Sequence, residues 1–216
     1  APMTAAPFVT RTVEPRTLES GEAGEAGRQP PLLVLLHGIG ADEHDLLPLA
    51  AHLDPRLRVT SLRAPHPYAV GRSWFHIDFR RDGTIVPDVA QARAALADLV
   101  GWLPPPPART FVLGFSQGAM MALGVLGVAP ERLAGVIALS GRAPDGLFDA
   151  TAPAEAIARV PVLVAHGTHD DVLPVANGRQ TQALLLGRVH DFTYREFPIG
   201  HGISDDELAL VAAWLH

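Results

Sequence analysis

Short, uninterrupted apolar runs alternate along the chain with segments whose apolar residues recur at helical spacing. Pro31 to His37 (PLLVLLH) is apolar almost throughout, as expected of a parallel strand covered on both faces. Leu57 to Leu62, Thr110 to Gly114, Leu133 to Leu139, Val160 to Ala165 and Phe192 to Phe197 read as further strands. Between Asp88 and Leu103 the apolar positions Val89, Ala92, Leu96, Leu99 and Leu103 lie on one helical face, and the run Pro104 to Pro107 ends that helix. Ser116 to Val128, Val175 to Leu186 and Asp205 to Leu215 also read as helices, with Pro174 suited to a first turn, and Leu46 to Leu53 as a short one. Strand and helix in alternation predict βαβ units, hence an α/β fold with a mostly parallel central sheet and helices on both faces. Phe8 to Val13 reads as an edge strand, Glu14 to Pro30 as a mobile Gly/Glu/Ala-rich loop, and Ala64 to Gly83 as a long loop holding Trp74 and Phe75. The predicted organisation is an N-terminal strand and flexible loop over residues 1–30, then one domain over 31–216. Only about 20 residues separate the strands ending at Leu139 and starting at Val160, which leaves no room there for a sizeable cap domain.

Composition removes several kinds of chemistry. The 216 residues include no cysteine, so disulfides, thiolate metal sites and a cysteine nucleophile are excluded. All 17 basic residues are arginine, which excludes a Schiff-base lysine and a phosphate-loop lysine, and the bias suggests a GC-rich genome. A formal net charge of -6 with no basic cluster argues against nucleic-acid partners. The first 30 residues lack an apolar stretch flanked by positive charge, and no apolar run approaches the roughly 18 residues a membrane span needs. Neither a signal peptide nor stable membrane insertion is expected, and the expected location is cytoplasmic.

Gly114-Phe115-Ser116-Gln117-Gly118 is a G-x-S-x-G elbow with an apolar strand before it and a helical pattern after it. Such a turn lifts a serine oxygen clear of the sheet. A serine hydroxyl is a weak nucleophile that needs a base, and the base needs an orienting acid. Two later loops supply these types, each after a predicted strand: His166-Gly167-Thr168-His169-Asp170-Asp171, and Gly200-His201-Gly202. Their order along the chain fits a triad of Ser116, Asp170 and His201. Asp171 is expected instead to cap the helix starting near Pro174. His37-Gly38-Ile39-Gly40 follows the first buried strand, so the N–H groups of Ile39 and Gln117 are the expected oxyanion donors, with His37 ordering the loop. Ligand-type residues also occur in His166-x-x-His169-Asp170 and Glu43-His44-Asp45, but neither forms an HExxH pair, so no metal is expected. No GxGxxG follows a strand, and no cofactor is required.

These segments resemble the phospholipase/carboxylesterase family of α/β-hydrolases, which includes the acyl-protein thioesterases. The resemblance runs from about Leu32 to the C-terminus. It rests on LLHGIGADEHDL (Leu35 to Leu46), SWF (Ser73 to Phe75), GFSQGAMMAL (Gly114 to Leu123), GVIALSG (Gly135 to Gly141), VLVAHGTHDDVLPV (Val162 to Val175) and GHGISDDELALVAAWL (Gly200 to Leu215). It is closest to compact bacterial carboxylesterases. It implies an α/β-hydrolase fold and makes Asp170, four residues after the histidine of the HG turn, the triad acid. Where the family's aromatic loop usually reads Trp-Phe-Asp, this chain has Trp74-Phe75-His76. The resemblance places that loop, with Trp74 and Phe75, beside the acyl pocket.

Motif and resemblance together predict a serine ester hydrolase acting on short- to medium-chain acyl esters. His201 would take the Ser116 proton, and activity would therefore fall at acidic pH. Alternatives with the same triad are an acyl-thioesterase, a lysophospholipase and a peptidase. A non-catalytic binding module that kept the fold is another, although the intact triad argues against it. Leu46 to Leu53 is too poorly basic and amphipathic for a lipid-interface role. The expected partner is a small acyl ester or thioester, and apolar surface near Trp74 would serve either a substrate or a second copy in a homodimer.

Overall fold

In the computed structural model, residues 8–16, 30–79, 85–143 and 151–216 are described. The elements are β1 (Thr10–Val13), β2 (Leu32–Leu36), β3 (Arg58–Leu62), the small hairpins β4/β5 (His66–Tyr68, Gly71–Ser73) and β6/β7 (Ile77–Phe79, Ile85–Pro87), α1 (Val89–Trp102), β8 (Thr110–Phe115), α2 (Gln117–Val128), β9 (Gly135–Leu139), α3 (Ala154–Ala158), β10 (Val162–Gly167), α4 (Ala176–Leu185), β11 (Phe192–Phe197) and α5 (Asp205–Trp214). Among the described residues, seven strands form one sheet in the order β1-β3-β2-β8-β9-β10-β11. Only the edge strand β1 runs antiparallel, with Thr10 opposite Leu62; every other pairing is parallel. This is the α/β-hydrolase arrangement.

The apolar runs are continuous because each strand faces a core on both sides. Val34, Leu36, Val112, Val136, Ala138, Val162 and Val164 point to the side that packs on α1 and α2. Leu33, Leu35, Leu113, Ile137, Leu139, Leu163 and Ala165 point to the other side, against Leu46, Ala50, Leu53, Val211 and Leu215. α2 is buried from Gln117 to Gly127, so it lies in the interior rather than on it. At about 1.5–3 kcal/mol for each fully buried large apolar side chain, these two layers dominate the stability of the fold.

Local bonds move several element ends from their predicted positions. Asp88 accepts from the Gln91 N–H and starts α1; Ser204 does the same for Glu207 and α5. Leu133 donates its N–H to Pro130 and closes a 3-10 turn, so β9 begins only at Gly135. Val160 likewise donates to Ile157, closing α3, a helix the apolar pattern does not announce, and β10 starts at Val162. The segment expected to be a helix over Leu46 to Leu53 is a 3-10 helix over Leu47–His52 with Pro48 in its first turn. The expected long loop Ala64 to Gly83 instead carries, as far as its residues are described, the hairpin β4/β5 and the strand β6, which pairs with β7 beyond Gly83. Most of the loop predicted over Glu14 to Pro30 lies outside the described residues. Among the described residues, no helix is long and apolar enough to cross a membrane.

Candidate active site

β8 runs into α2 through Ser116, whose backbone sits at φ 54 and ψ -114. That conformation costs a non-glycine residue about 1–3 kcal/mol and has to be held by its surroundings. The Ser116 N–H donates to Leu139 O at 2.9 Å, tying the elbow to β9. Two glycines make the turn possible. A Cβ on Gly114 would lie 2.1 Å from Gly118 O, and one on Gly118 would lie 1.9 Å from Leu36 O. Strand, elbow and helix therefore meet backbone to backbone at this point.

The other polar groups arrive from the ends of β10 and β11. The His169 N–H donates to Ile199 O at 3.0 Å and the Thr168 N–H to Phe197 O at 2.7 Å, which zips the two loops together. His201 then stands between Asp170 and Ser116, with Nδ1 2.7 Å from Asp170 Oδ2 and Nε2 3.0 Å from Ser116 Oγ. A buried carboxylate can only accept, so Nδ1 carries the proton, and Nε2 faces the serine hydroxyl as an acceptor. The Phe115 ring, 5.0 Å away between centroids, braces the imidazole. Asp170 is buried, and its second oxygen accepts from the N–H groups of Val172 at 3.0 Å and Leu173 at 2.7 Å. These two amides offset the cost of burying the carboxylate.

The structure corrects the expectation for Asp171. The first turn of α4 has no side-chain cap, and Asp171 is exposed. It is Asp170 that takes the neighbouring amides. His166, which sequence reasoning set aside, lies buried beside it, with Nε2 2.7 Å from Leu173 O and 3.5 Å from Asp170 Oδ2. Its one signal in the sequence is its place four residues before the acid.

The N–H groups of Ile39 and Gln117 meet no backbone acceptor among the described residues, which leaves both donors available beside Ser116. His37 orders this loop as expected: Nδ1 donates to Gly38 O at 2.7 Å, and Nε2 accepts from the Ala64 N–H at 3.1 Å. Burial lowers its pKa and favours the neutral ring these bonds require. The Gln117 side chain has a role that the motif does not reveal. Its Oε1 accepts from the Trp74 N–H at 2.8 Å, and its Nε2 donates to Phe75 O at 2.7 Å.

Trp74 and Phe75 are not pocket residues. Both are 0% exposed, Trp74 donates its indole N–H to His37 O at 2.9 Å, and neither lines the cavity at Ser116. They belong to the core behind the site, because Gln117 and His37 pull this loop inward. The apolar surface expected near Trp74 is therefore not offered by Trp74 itself. The cavity at Ser116 is small, about 60 Å³, and opens between Ile39, Ile77, Pro87, Met120, Arg142, Val172 and Leu173. Of these, sequence reasoning named only Ile39; Met120 was legible one helical turn after Ser116, and Val172 and Leu173 directly after the acid pair. A larger cavity of about 430 Å³, bordered by α3 and the end of α4, shares none of the described lining residues with this one.

Ligand-type atoms of Asp42, Glu43 and His44 fall within 4.8 Å of one another. Glu43 is already committed, however: Arg63 holds both its oxygens at 2.6 Å, which pushes its pKa down to about 2. This pair, a buried carboxylate and a half-buried guanidinium, fastens the loop after β2 to the residue after β3. In the other stretch with ligand-type residues, His169 is exposed while His166 and Asp170 are buried.

The phospholipase/carboxylesterase family profile matches residues 23–216. A probable carboxylesterase of Oryza sativa subsp. japonica is 26% identical over 223 residues, covering 93% of this chain and 82% of that protein. Acyl-protein thioesterase 1 of Gibberella zeae is 31% identical over 112 residues, about half of each chain. Among solved structures, esterase PE8 superposes with a TM-score of 0.78 at 32% identity, covering 96% of this chain and 97% of that one.

Proposed function

Because this chain belongs to the phospholipase/carboxylesterase family, whose members are serine hydrolases, we propose that Ser116, His201 and Asp170 carry its ester hydrolysis, with the Ile39 and Gln117 amides as the oxyanion hole. The observation that carries this reading is the unbroken hydrogen-bond line from Ser116 through His201 to Asp170, at 3.0 and 2.7 Å. His201 Nε2 takes the Ser116 proton while Oγ bonds to the acyl carbon. The carbonyl electron pair moves onto oxygen, where the two amides receive it. Each such donor is typically worth about 100- to 1,000-fold in rate. The tetrahedral centre collapses, the ester C–O bond breaks, and His201 returns the proton to the departing alcohol. Water then repeats the sequence on the acyl-enzyme, giving its proton to His201, and releases the carboxylic acid and free Ser116. Asp170 keeps the imidazole in the reactive tautomer and stabilises its cation. No step calls for a metal or an organic cofactor.

Short acyl chains fit best. The cavity of about 60 Å³ is far below the roughly 300–1,000 Å³ of pockets that enclose drug-sized ligands, so it encloses the reacting end and leaves longer chains in solvent. The test uses p-nitrophenyl esters and an acyl thioester of graded length, together with a fluorophosphonate probe, on wild type and Ser116→Ala. Turnover and labelling that both vanish in the variant support the mechanism. A thioester preferred at every length would move the substrate class to thioesters. The absence of both labelling and turnover in folded wild type would refute the reading.

A further inference from the structure

One lining residue of the reaction cavity is unlike the rest. Among the described residues that line the opening at Ser116, Arg142 carries the one charged side chain; Ile39, Ile77, Pro87, Met120, Val172 and Leu173 are apolar, and the Gln117 amide is engaged behind them. Among the described residues, its guanidinium has no carboxylate or carbonyl partner. Other arginines in this chain are held by acids: Arg63 by Glu43, Arg56 by Asp54, Arg179 by Glu196. Arg142 is also not on a free loop. On one side, Ser140 donates its N–H to Ala165 O at 2.9 Å. Gly141 is pressed on α2, where an added Cβ would lie 2.4 Å from Ala119 Cβ. On the other side, the Ala143 N–H donates to Thr181 Oγ1 at 2.8 Å. The backbone that bears Arg142 is thus pinned to β10, α2 and α4, and the residue is half-buried at the rim.

A guanidinium carried on a pinned backbone, without a partner among the described residues and beside apolar walls, is prepared for an oxyanion. The apolar walls lower the local dielectric and strengthen the attraction. The chain as a whole carries a net charge of -6, and Asp170 and Asp171 lie on the loop just before Val172, so an anionic substrate meets general repulsion that a local cation must overcome. Building on the esterase reading above, we propose that Arg142 selects esters that carry an anionic group, a carboxylate or phosphate, on the acyl chain or on the alcohol.

The test compares matched pairs on wild type, Arg142→Gln and Arg142→Lys. The acyl arm uses p-nitrophenyl pentanoate against the p-nitrophenyl monoester of glutaric acid. The alcohol arm uses phenyl pentanoate against 4-carboxyphenyl pentanoate. Within each pair the readout is the ratio of kcat/KM, anionic over neutral, normalised to wild type, so differences in intrinsic ester reactivity cancel. In at least one arm Arg142→Gln lowers this ratio by about ten- to hundredfold, Arg142→Lys restores part of it, and 0.5 M NaCl lowers it in wild type. The arm that responds identifies which side of the ester carries the charge. Ratios within twofold of wild type in both arms, while Ser116→Ala abolishes turnover, would overturn the role of Arg142 and leave the esterase reading standing. No turnover of any ester by folded wild type would overturn both. Thermal melting of each variant confirms that folded proteins are compared.

Discussion

Replacing Gln117 tests whether the elbow and the aromatic loop are one unit. Its side chain makes two buried hydrogen bonds to main-chain groups, accepting from Trp74 N–H at 2.8 Å and donating to Phe75 O at 2.7 Å. Gln117→Leu removes both partners but leaves both backbone groups buried. An unsatisfied buried polar group costs about 1–3 kcal/mol, so the pair costs about 2–6 kcal/mol, a large part of the roughly 5–15 kcal/mol available to an average domain. Gln117→Glu separates the two bonds. The carboxyl still accepts from Trp74 N–H, but only its protonated form can donate to Phe75 O. Burial and the facing carbonyl raise the folded pKa of the new acid above its unfolded value. Its contribution is then fully present below about pH 4 and is lost as pH rises toward the folded pKa. Urea denaturation followed by tryptophan fluorescence at pH 5 and pH 8 measures this. The expected result is that Gln117→Leu loses stability at both pH values, whereas Gln117→Glu loses more at pH 8 than at pH 5. Losses below about 1 kcal/mol for both variants at both pH values would refute the clamp.

Other perturbations reach different parts of the structure. In Asp170→Asn, the amides of Val172 and Leu173 hold the side-chain oxygen, so the new NH₂ group points at His201 Nδ1 and drives the proton to Nε2, the wrong tautomer for accepting from Ser116; kcat should fall about 10⁴-fold, and a fall below tenfold on a p-nitrophenyl ester would contradict the assignment. Glu207 is buried at the start of α5 with neither oxygen in a good hydrogen bond; burial raises its pKa to about 7, partly offset by the nearby Ser204 N–H. A raised folded pKa means that stability is lost as pH climbs from about 4.5 to 7, by ~3 kcal/mol, so Glu207→Gln should flatten that decline in urea melts, and identical pH profiles would count against the burial account. Gly118→Ala drives a Cβ to 1.9 Å from Leu36 O and should yield no soluble folded protein, whereas Gly101→Ala, with nothing within 4 Å on the same scale, should raise stability by about 0.5–1 kcal/mol. Recovery of both variants with equal melting temperatures would show that the elbow has room the structure does not give it.

Much of the architecture is local information. Each strand between two helical layers needs apolar side chains on both faces, so β2, β8, β9 and β10 appear in the sequence as unbroken runs, and β11 was located to the residue by its aromatic and β-branched positions. Helix limits were nearly as legible where a cap residue stood at the boundary, as with Asp88 and Ser204. The misplaced strand starts and the missed helix belong together. Leu133 and Val160 are apolar and look like strand, but their N–H groups close the turns that precede β9 and β10, and α3 is too short for its apolar spacing to register as a period.

The sequence by itself determined the sheet, the serine elbow, and the order in which acid and base follow it, because strand burial, glycine turns and catalytic residue types are each written within a few neighbouring positions. Tertiary structure alone decided which groups meet. It placed His201 between Ser116 and Asp170 across 85 and 31 residues of chain. It gave the amides of Val172 and Leu173 to Asp170 rather than to Asp171. It drew Trp74 and Phe75 into the core through Gln117, 43 and 42 residues away. It also left the reaction cavity to Met120, Arg142 and the small hairpin around Ile77. An aromatic residue in a loop reads the same whether it lines a pocket or fills a core. The difference lies in hydrogen bonds made to distant backbone, which no local pattern records.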